Sequence, residues 1–228
     1  MTLKWLNDQF IMYDTTDFKK FFIPGGQSFE AFDKQVPGDF SSATFFLCAA
    51  AITGSALVLK GLDMADSQGD KAVVHILKEM GCHIEIGIDF IKIKGRPLKG
   101  CELDLNDTPD ALPALAVTAC FADGETKIFN VPQARLKETD RIAVMKMELE
   151  KMGADIEELP DGLLIKGSSS GTLTGTNVSG HKDHRIIMSL AVAALASQGE
   201  TTIDDTSAVS ITFPNFFELL DKICLQEK

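Results

Sequence analysis

GDFSSATFFLCAAAITGSALVLKGL, residues 38–62, decides the fold, because the chain writes the same pattern twice more. TPDALPALAVTACFADGETKIFNV (108–131) and KDHRIIMSLAVAALASQGETTIDD (182–205) repeat it: an Asp, an apolar run, a Gly, then a β-like stretch. The three openings, Asp39, Asp110 and Asp183, lie about seventy residues apart, and a period of that kind outranks any local motif. Ala43, Phe46, Leu47, Ala50 and Ala51 fall at i, i+3, i+4, i+7 and i+8. Leu112, Leu115, Ala116, Ala119 and Cys120 share that spacing, as do Ile187, Leu190, Ala191, Ala194 and Leu195. Each set predicts one apolar stripe on a helix, with Gly54, Gly124 and Gly199 as the residues that end it.

Outward from each helix the pattern continues. LVLKGL, TKIFNV and TTIDDT read as strands. A second helix follows on Val73, Ile76, Leu77 and Met80, on Ile142, Met145, Leu149 and Met152, and on Phe216, Leu219, Leu220 and Ile223. The first two copies close with Gly81 or Gly153 and two short strands around a turn, CHIEIGIDFIKIKG and ADIEELPDGLLIKG. The unit is helix, strand, helix, strand, strand, with a further strand leading each copy. No single unit can bury its own stripe, so three pack their helices inward as one α/β body. The expected boundaries are about 38–100, 101–175 and 176–228. LKWLNDQFIMYDTTDFKKFFIPGG (3–26) reads as the tail of a fourth unit, so residues 1–37 are expected to be the end of a truncated unit and the chain a piece of a longer protein.

Composition bounds the function. The chain has 228 residues, enough for a sizeable core, and a net charge of −11, which argues against a nucleic-acid groove or an anionic membrane surface. No run nears the eighteen or so apolar residues a membrane helix needs, and MTLKWLNDQF is no signal peptide, so a soluble, cytoplasmic protein is expected. The five cysteines show no ligand-like spacing, and Cys48 and Cys120 sit in apolar runs as reduced core thiols.

Basic groups are nevertheless concentrated locally. Arg135, Lys137 and Arg141 lead into the second helix of copy two, with Glu138 and Asp140 between them. Lys182, His184 and Arg185 open copy three. Lys137 and Arg141 are four apart and are expected to share a helix face. Copy one has only SQGDKA at the matching place. Asp39, Asp110 and Asp183 are all expected to cap their helices, and capping alone explains all three. By itself RLKETDR is a solvated charged turn; basic residues at matched places of two units but not the third point to a convergent anion site. A helix start already favours an anion, Arg185 offers a planar fork, and His184 exchanges protons near neutral pH.

RLKETDRI (135–142), DTPDALPALAV (107–117), KDHRIIMSLAVAAL (182–195), GDFSSATFFLCAA (38–50) and TFPNFFELL (212–220) resemble the 5-enolpyruvylshikimate-3-phosphate synthase family over essentially the whole chain. KETDR and DHR together carry the resemblance; the related UDP-N-acetylglucosamine enolpyruvyl transferases share the fold but are not expected to have KETDR. The resemblance implies repeated βαβαββ units, three per lobe, each lobe an inside-out α/β barrel, with residues 38–228 as the C-terminal lobe and the N-terminal half of the enzyme missing. It implies transfer of the enolpyruvyl group from phosphoenolpyruvate to the 5-hydroxyl of shikimate 3-phosphate, in the shikimate pathway to aromatic amino acids, with no metal or organic cofactor. Asp110, Glu138 and His184 match the catalytic positions. Asp110, Lys137 and Gln133 match shikimate-3-phosphate ligands, Gln133 standing where some members have Asn. Arg141 and Arg185 match the phosphoenolpyruvate clamp. One departure is Ile211, where the family often has a Lys before Thr-Phe-Pro. The alternative is a noncatalytic anion-binding or interaction module that kept the repeat. His75, His83 and His181 read as surface or packing residues, and Phe213, Phe216 and Phe217 as core.

Overall fold

The computed structural model describes residues 1–168 and 173–225; of residues 169–172 and 226–228, which fall in the second and third expected units, nothing is described. The chain opens with α1 (Thr2–Asp8) and a small antiparallel hairpin, β1 (Asp14–Thr16) with β2 (Lys20–Phe22). Both strands are exposed along their length, and Phe10, Phe18, Phe22 and Phe29 are 65–89% exposed around them. Residues 23–39 hold no strand, so a leading strand is not found for the first copy among the described residues.

The first repeat starts where Asp39 takes an extended backbone and its carboxylate accepts from the Ser41 and Ser42 amides. That cap launches α2 (Phe40–Thr53), which ends at Gly54 in the left-handed conformation (φ 71°) that glycine adopts without a Cβ clash. β3 (Ala56–Lys60), α3 (Ala72–Glu79), β4 (His83–Ile86) and β5 (Phe90–Lys94) follow, and β5 lies between β3 and β4 in an antiparallel sheet. Ile91 and Ile93 point into the core while Lys92 and Lys94 alternate outward, the period-two pattern of a half-buried sheet.

β6 (Leu98–Lys99) and β7 (Glu102–Asp104) lead the second repeat. They run parallel to β8 (Ala122–Phe129), which follows α4 (Leu112–Cys120). After α5 (Arg141–Lys151), the hairpin β9 (Asp155–Leu159) and β10 (Gly162–Gly167) closes the sheet, with Leu163 opposite Ile128 and Ile165 opposite Thr126. Gly162 is required there, since a Cβ would sit 1.9 Å from the Ile128 carbonyl oxygen. The third repeat has β11 (Asn177–Val178), α6 (His184–Ala194), a parallel partner β12 (Thr202–Ile203), then α7 (Val209–Thr212) and α8 (Phe216–Leu225).

α2, α4 and α6 pack against one another at the centre. The expected single stripe understates their burial. Every residue of α4 is buried, as is α2 from Ala43 to Ala51, because two neighbouring helices and a sheet surround each one. A helix apolar all round is a core helix. Leu47, Leu115 and Leu190 are fully buried, each contributing roughly 1.5–3 kcal/mol. The buried threonine hydroxyls of α2 and α4 are satisfied locally, Thr44 donating to the Phe40 carbonyl and Thr118 to that of Ala114, whereas the buried Ser41 and Ser189 hydroxyls have no protein partner among the described residues. Phe216 packs on Phe45, Phe46, Phe213 and Phe217 and fills the seam between α2 and α8, as expected of a core cluster. Burial pushes the Cys48 and Cys120 thiols up to about 12, so both are inert packing groups. Gly124 and Gly199 are not helix ends: Gly124 lies inside β8 at φ 91°, and α6 stops at Ala194, before Gly199. No helix among the described residues is long and apolar enough to cross a membrane.

Candidate active site

The three helix openings do not do the same work. Asp39 caps α2 and also accepts from the Ser42 hydroxyl at 2.6 Å. Asp183 caps α6 through the Arg185 amide at 2.9 Å, yet its side chain is completely buried. Asp110 caps nothing. Pro109 begins a 3-10 turn, Pro109–Ala111, that precedes α4, and the Asp110 carboxylate is turned out of it. The capping expectation for Asp110 is therefore overturned, because the extra turn places it ahead of the free amides of α4. Its oxygens face Lys137 at 3.1 Å, Arg141 at 2.8 Å and Arg185 at 3.3 Å.

RLKETDR assigns nearly every residue a separate partner. Arg135 ties down the end of β9 by donating to the Leu159 and Pro160 carbonyls, and pairs with Asp140 and Glu158. Asp140 caps α5 through the Ala143 amide. Thr139 donates to Asp183 at 3.2 Å. Lys137 lies before the helix in extended conformation, so it shares no helix face with Arg141; the two meet instead on the same Asp110 oxygen. Arg141, the first residue of α5, is 1% exposed. Its Nε and Nη2 fork onto Asp183 at 2.8 and 3.2 Å, its Nη1 reaches Asp110, and its Nη2 also donates to Glu138 at 2.6 Å. A fork of this kind fixes direction as well as distance.

Three cations and three carboxylates thus interlock: Lys137, Arg141 and Arg185 with Asp110, Glu138 and Asp183. Burial opposes ionisation of Asp110, but Arg185, Lys137 and Arg141 outweigh it and hold the carboxyl below its ordinary value of 3.8. Burial likewise opposes charge on Asp183, and Arg141 above all reverses that. His184 moves the other way for an imidazole. Burial, then Arg185 and Arg141, push it below 6.5 against the pull of Asp183 and Glu138, which favours the uncharged ring. Its Nδ1 lies 3.9 Å from a Glu138 oxygen, close but not hydrogen-bonded.

Six of the expected residues therefore converge: Asp110, Lys137, Glu138, Arg141, His184 and Arg185. Gln133 does not join them. Its amide donates to the Asn106 carbonyl at 2.9 Å, ahead of the turn that carries Asp110. Arg135 and Lys182 also leave the clusters the sequence put them in, Lys182 facing Ser179, Asp204 and Asp205 instead. Ile211, in α7, is 81% exposed and brings no cation. Within the cluster Arg141 and Asp183 are buried, His184 and Arg185 are largely covered, and Asp110, Lys137 and Glu138 reach solvent. A cavity of about 550 Å³ forms an apolar groove between α2, β3 and α8 lined by Phe46, Leu57, Leu62 and Phe213, and none of the six lines it.

A family model described as EPSP synthase (3-phosphoshikimate 1-carboxyvinyltransferase) matches residues 1–220. The chain belongs to the EPSP synthase family. It is 58% identical over 218 residues to a 3-phosphoshikimate 1-carboxyvinyltransferase of Ruminiclostridium cellulolyticum, covering 96% of this chain and 51% of that protein. A relative of the same name from Methanocaldococcus jannaschii is 42% identical, over 98% of this chain and 52% of its own length. A solved EPSP synthase of Acinetobacter baumannii superposes with a TM-score of 0.85 at 34% identity, covering 97% of this chain and 53% of that one. The chain spans about half the length of the relatives it matches.

In this member of the EPSP synthase family, sequence reasoning missed Asp183 and Thr139 as parts of the cluster. A carboxylate at a helix start reads fully as a cap, which Asp183 also is. The available signal was its neighbours, since Asp-His-Arg puts a carboxylate beside two groups already chosen as anion ligands.

Proposed function

We propose that this chain supplies one wall of a site that moves the enolpyruvyl group of phosphoenolpyruvate onto the 5-hydroxyl of shikimate 3-phosphate, with release of phosphate. The observation that carries the reading is the meeting of Lys137, Arg141 and Arg185 on Asp110, cations from two repeats focused on one anion. Without ligand the cluster is internally neutralised, and Asp110 stands where a guest carboxylate or phosphate would go. An entering anion gains by taking over the contacts of Asp110 with Arg185 and Lys137, the cations that are not fully buried. Arg141 comes within its reach only once Asp110 or Glu138 turns aside.

That exchange has a chemical consequence. A carboxylate that loses its cations becomes a stronger base. Asp110 is thereby suited to take the 5-hydroxyl proton as the oxygen adds to C2 of phosphoenolpyruvate, and Glu138, once it has taken up a proton on leaving Arg141, is placed to pass that proton to C3. Glu138, by then a carboxylate, takes a C3 proton back as the C2–O bond to phosphate breaks, and the proton held by Asp110 leaves with the phosphate. Arg141 and Arg185 hold the phosphate and carboxylate, Lys137 holds the 3-phosphate, and His184 belongs to the polar shell around the reacting carbon. Gln133 supports the site through the Asn106 carbonyl. The solvent-facing side chains of Asp110, Lys137 and Glu138 and the half-length match support a second wall from an N-terminal half, and turnover is assigned to the two together.

The test is phosphate release from both substrates, by this chain alone and with the unmatched half of the Ruminiclostridium cellulolyticum relative added. The expected result is none alone and release when combined. If combination never yields release, the transferase reading fails. The exposed, uncharged Ile211 favours a second reading, an anion-binding module without turnover; phosphate binding with no release would establish it.

A further inference from the structure

Glu148 is completely buried, and the mechanism above does not use it. It lies two turns along α5 from Arg141. Its carboxylate accepts from Lys151 at 2.8 Å, from the Ser179 backbone amide at 2.9 Å, and meets His181 Nε2 at 2.8 Å. His181 is therefore not a bland surface residue. It and Lys182 take consecutive left-handed conformations, φ 50° and 57°, which residues with a Cβ avoid. Asp183, His184 and Arg185 come next.

The strained turn is clamped from three sides. Asp204 accepts from the Ser179 hydroxyl at 2.7 Å and the Gly180 amide at 2.9 Å. Glu148 holds Ser179 and His181, and Arg141 holds Asp183. α5 thus grips the segment at two points two turns apart, once at its first residue and once at Glu148. Consecutive unfavourable backbone conformations persist only where the surroundings enforce them.

We propose that Glu148 is a positioning residue: by holding Ser179 and His181 it fixes the turn that aims His184 and Arg185, and so sets affinity for phosphoenolpyruvate rather than for shikimate 3-phosphate. This rests on the transferase reading for its substrates. The split follows from connectivity, since Lys137 and Asp110 reach the site by routes that do not pass through residues 179–183. Glu148→Ala removes both holds that Glu148 supplies and leaves those of Asp204 and Arg141; Glu148→Gln keeps an acceptor for the Ser179 amide and a donor for His181. His181→Asn keeps a residue at ease in the left-handed region but is too short to reach Glu148.

The experiment compares these variants in the combined two-half enzyme and follows the histidine ring signals of the chain alone by NMR. Glu148→Ala and His181→Asn should raise KM for phosphoenolpyruvate at least about tenfold, leave KM for shikimate 3-phosphate within about twofold, and shift the His184 signal. Glu148→Gln should restore most of the phosphoenolpyruvate KM. Equal rises in both KM values, or no rise with an unmoved His184 signal, overturn the proposal. If Glu148→Ala does not fold, His181→Asn decides alone. If the unmodified combination shows no turnover, the transferase reading fails, and an unmoved His184 signal in His181→Asn still refutes the positioning role.

Discussion

Asp39 and Asp183 perform the same service for the backbone, each accepting from amides at the first turn of a core helix. Among the described residues, the hydrogen bonds of the Asp39 carboxylate go to the Ser41 and Ser42 amides and the Ser42 hydroxyl. Around Asp183 there is the fork of Arg141, and through it Asp110, Lys137, Glu138 and Arg185. The repeat supplies equivalent frames, and the copies diverge where one copy's carboxylate is met by another copy's arginine. Asp110 is the third case: an added 3-10 turn frees it from capping, and three cations claim it.

The comparison is best broken at Asp110. Asp110→Asn in the combined enzyme should lower kcat by about 10²- to 10⁴-fold, the range for losing a proton acceptor, with substrate binding kept. A wild-type kcat would remove Asp110 from the chemistry. Asp183→Ala should cost about 3–5 kcal/mol in urea unfolding, because it strands a buried guanidinium. Arg185→Ala should weaken phosphoenolpyruvate binding by about 2–5 kcal/mol while leaving unfolding nearly unchanged, as calorimetry can check. Asp39→Ala should cost only about 1 kcal/mol, the worth of a cap. Equal losses at Asp39 and Asp183 would erase the contrast.

The mildest test is pH. Asp110, Asp183 and His184 all have native values below their ordinary ones, so the unfolded chain binds more protons at acid pH. Stability is fully present above those ordinary values and is lost as pH falls through the native ones. The loss should begin below about 6.5 from His184 and deepen below about 4 from the carboxylates. His184→Gln should flatten the first stage only, as melts across pH would reveal.

Much of this was legible in the chain. The repeat and both helix sets follow from apolar spacing, whereas RLKETDR and DHR gained weight from their matched places in two units and from the family resemblance, since bare charge reads as a solvated turn. The misses share a cause. Spacing reports which side of a helix is apolar but not how many neighbours surround it, so fully enclosed α4 read as striped. Lys137 and Arg141 were paired on a helix face, whereas the helix starts at Arg141 and their meeting point is supplied by residue 110 of another segment. Glu148 gave no sign, because a glutamate among Met, Leu and Lys on a helix looks solvent-facing until the turn at 179–183 folds over it.

The aromatic side chains around the first hairpin bear on how the polypeptide behaves in a tube. Phe10, Phe18, Phe22 and Phe29 form an oily fringe that water cannot wet cheaply. Mutual repulsion from a charge of −11 keeps molecules apart in dilute buffer and fades as ions are added. Preparations should therefore cluster as salt rises, visible by light scattering, and clear again when a covering partner is co-expressed.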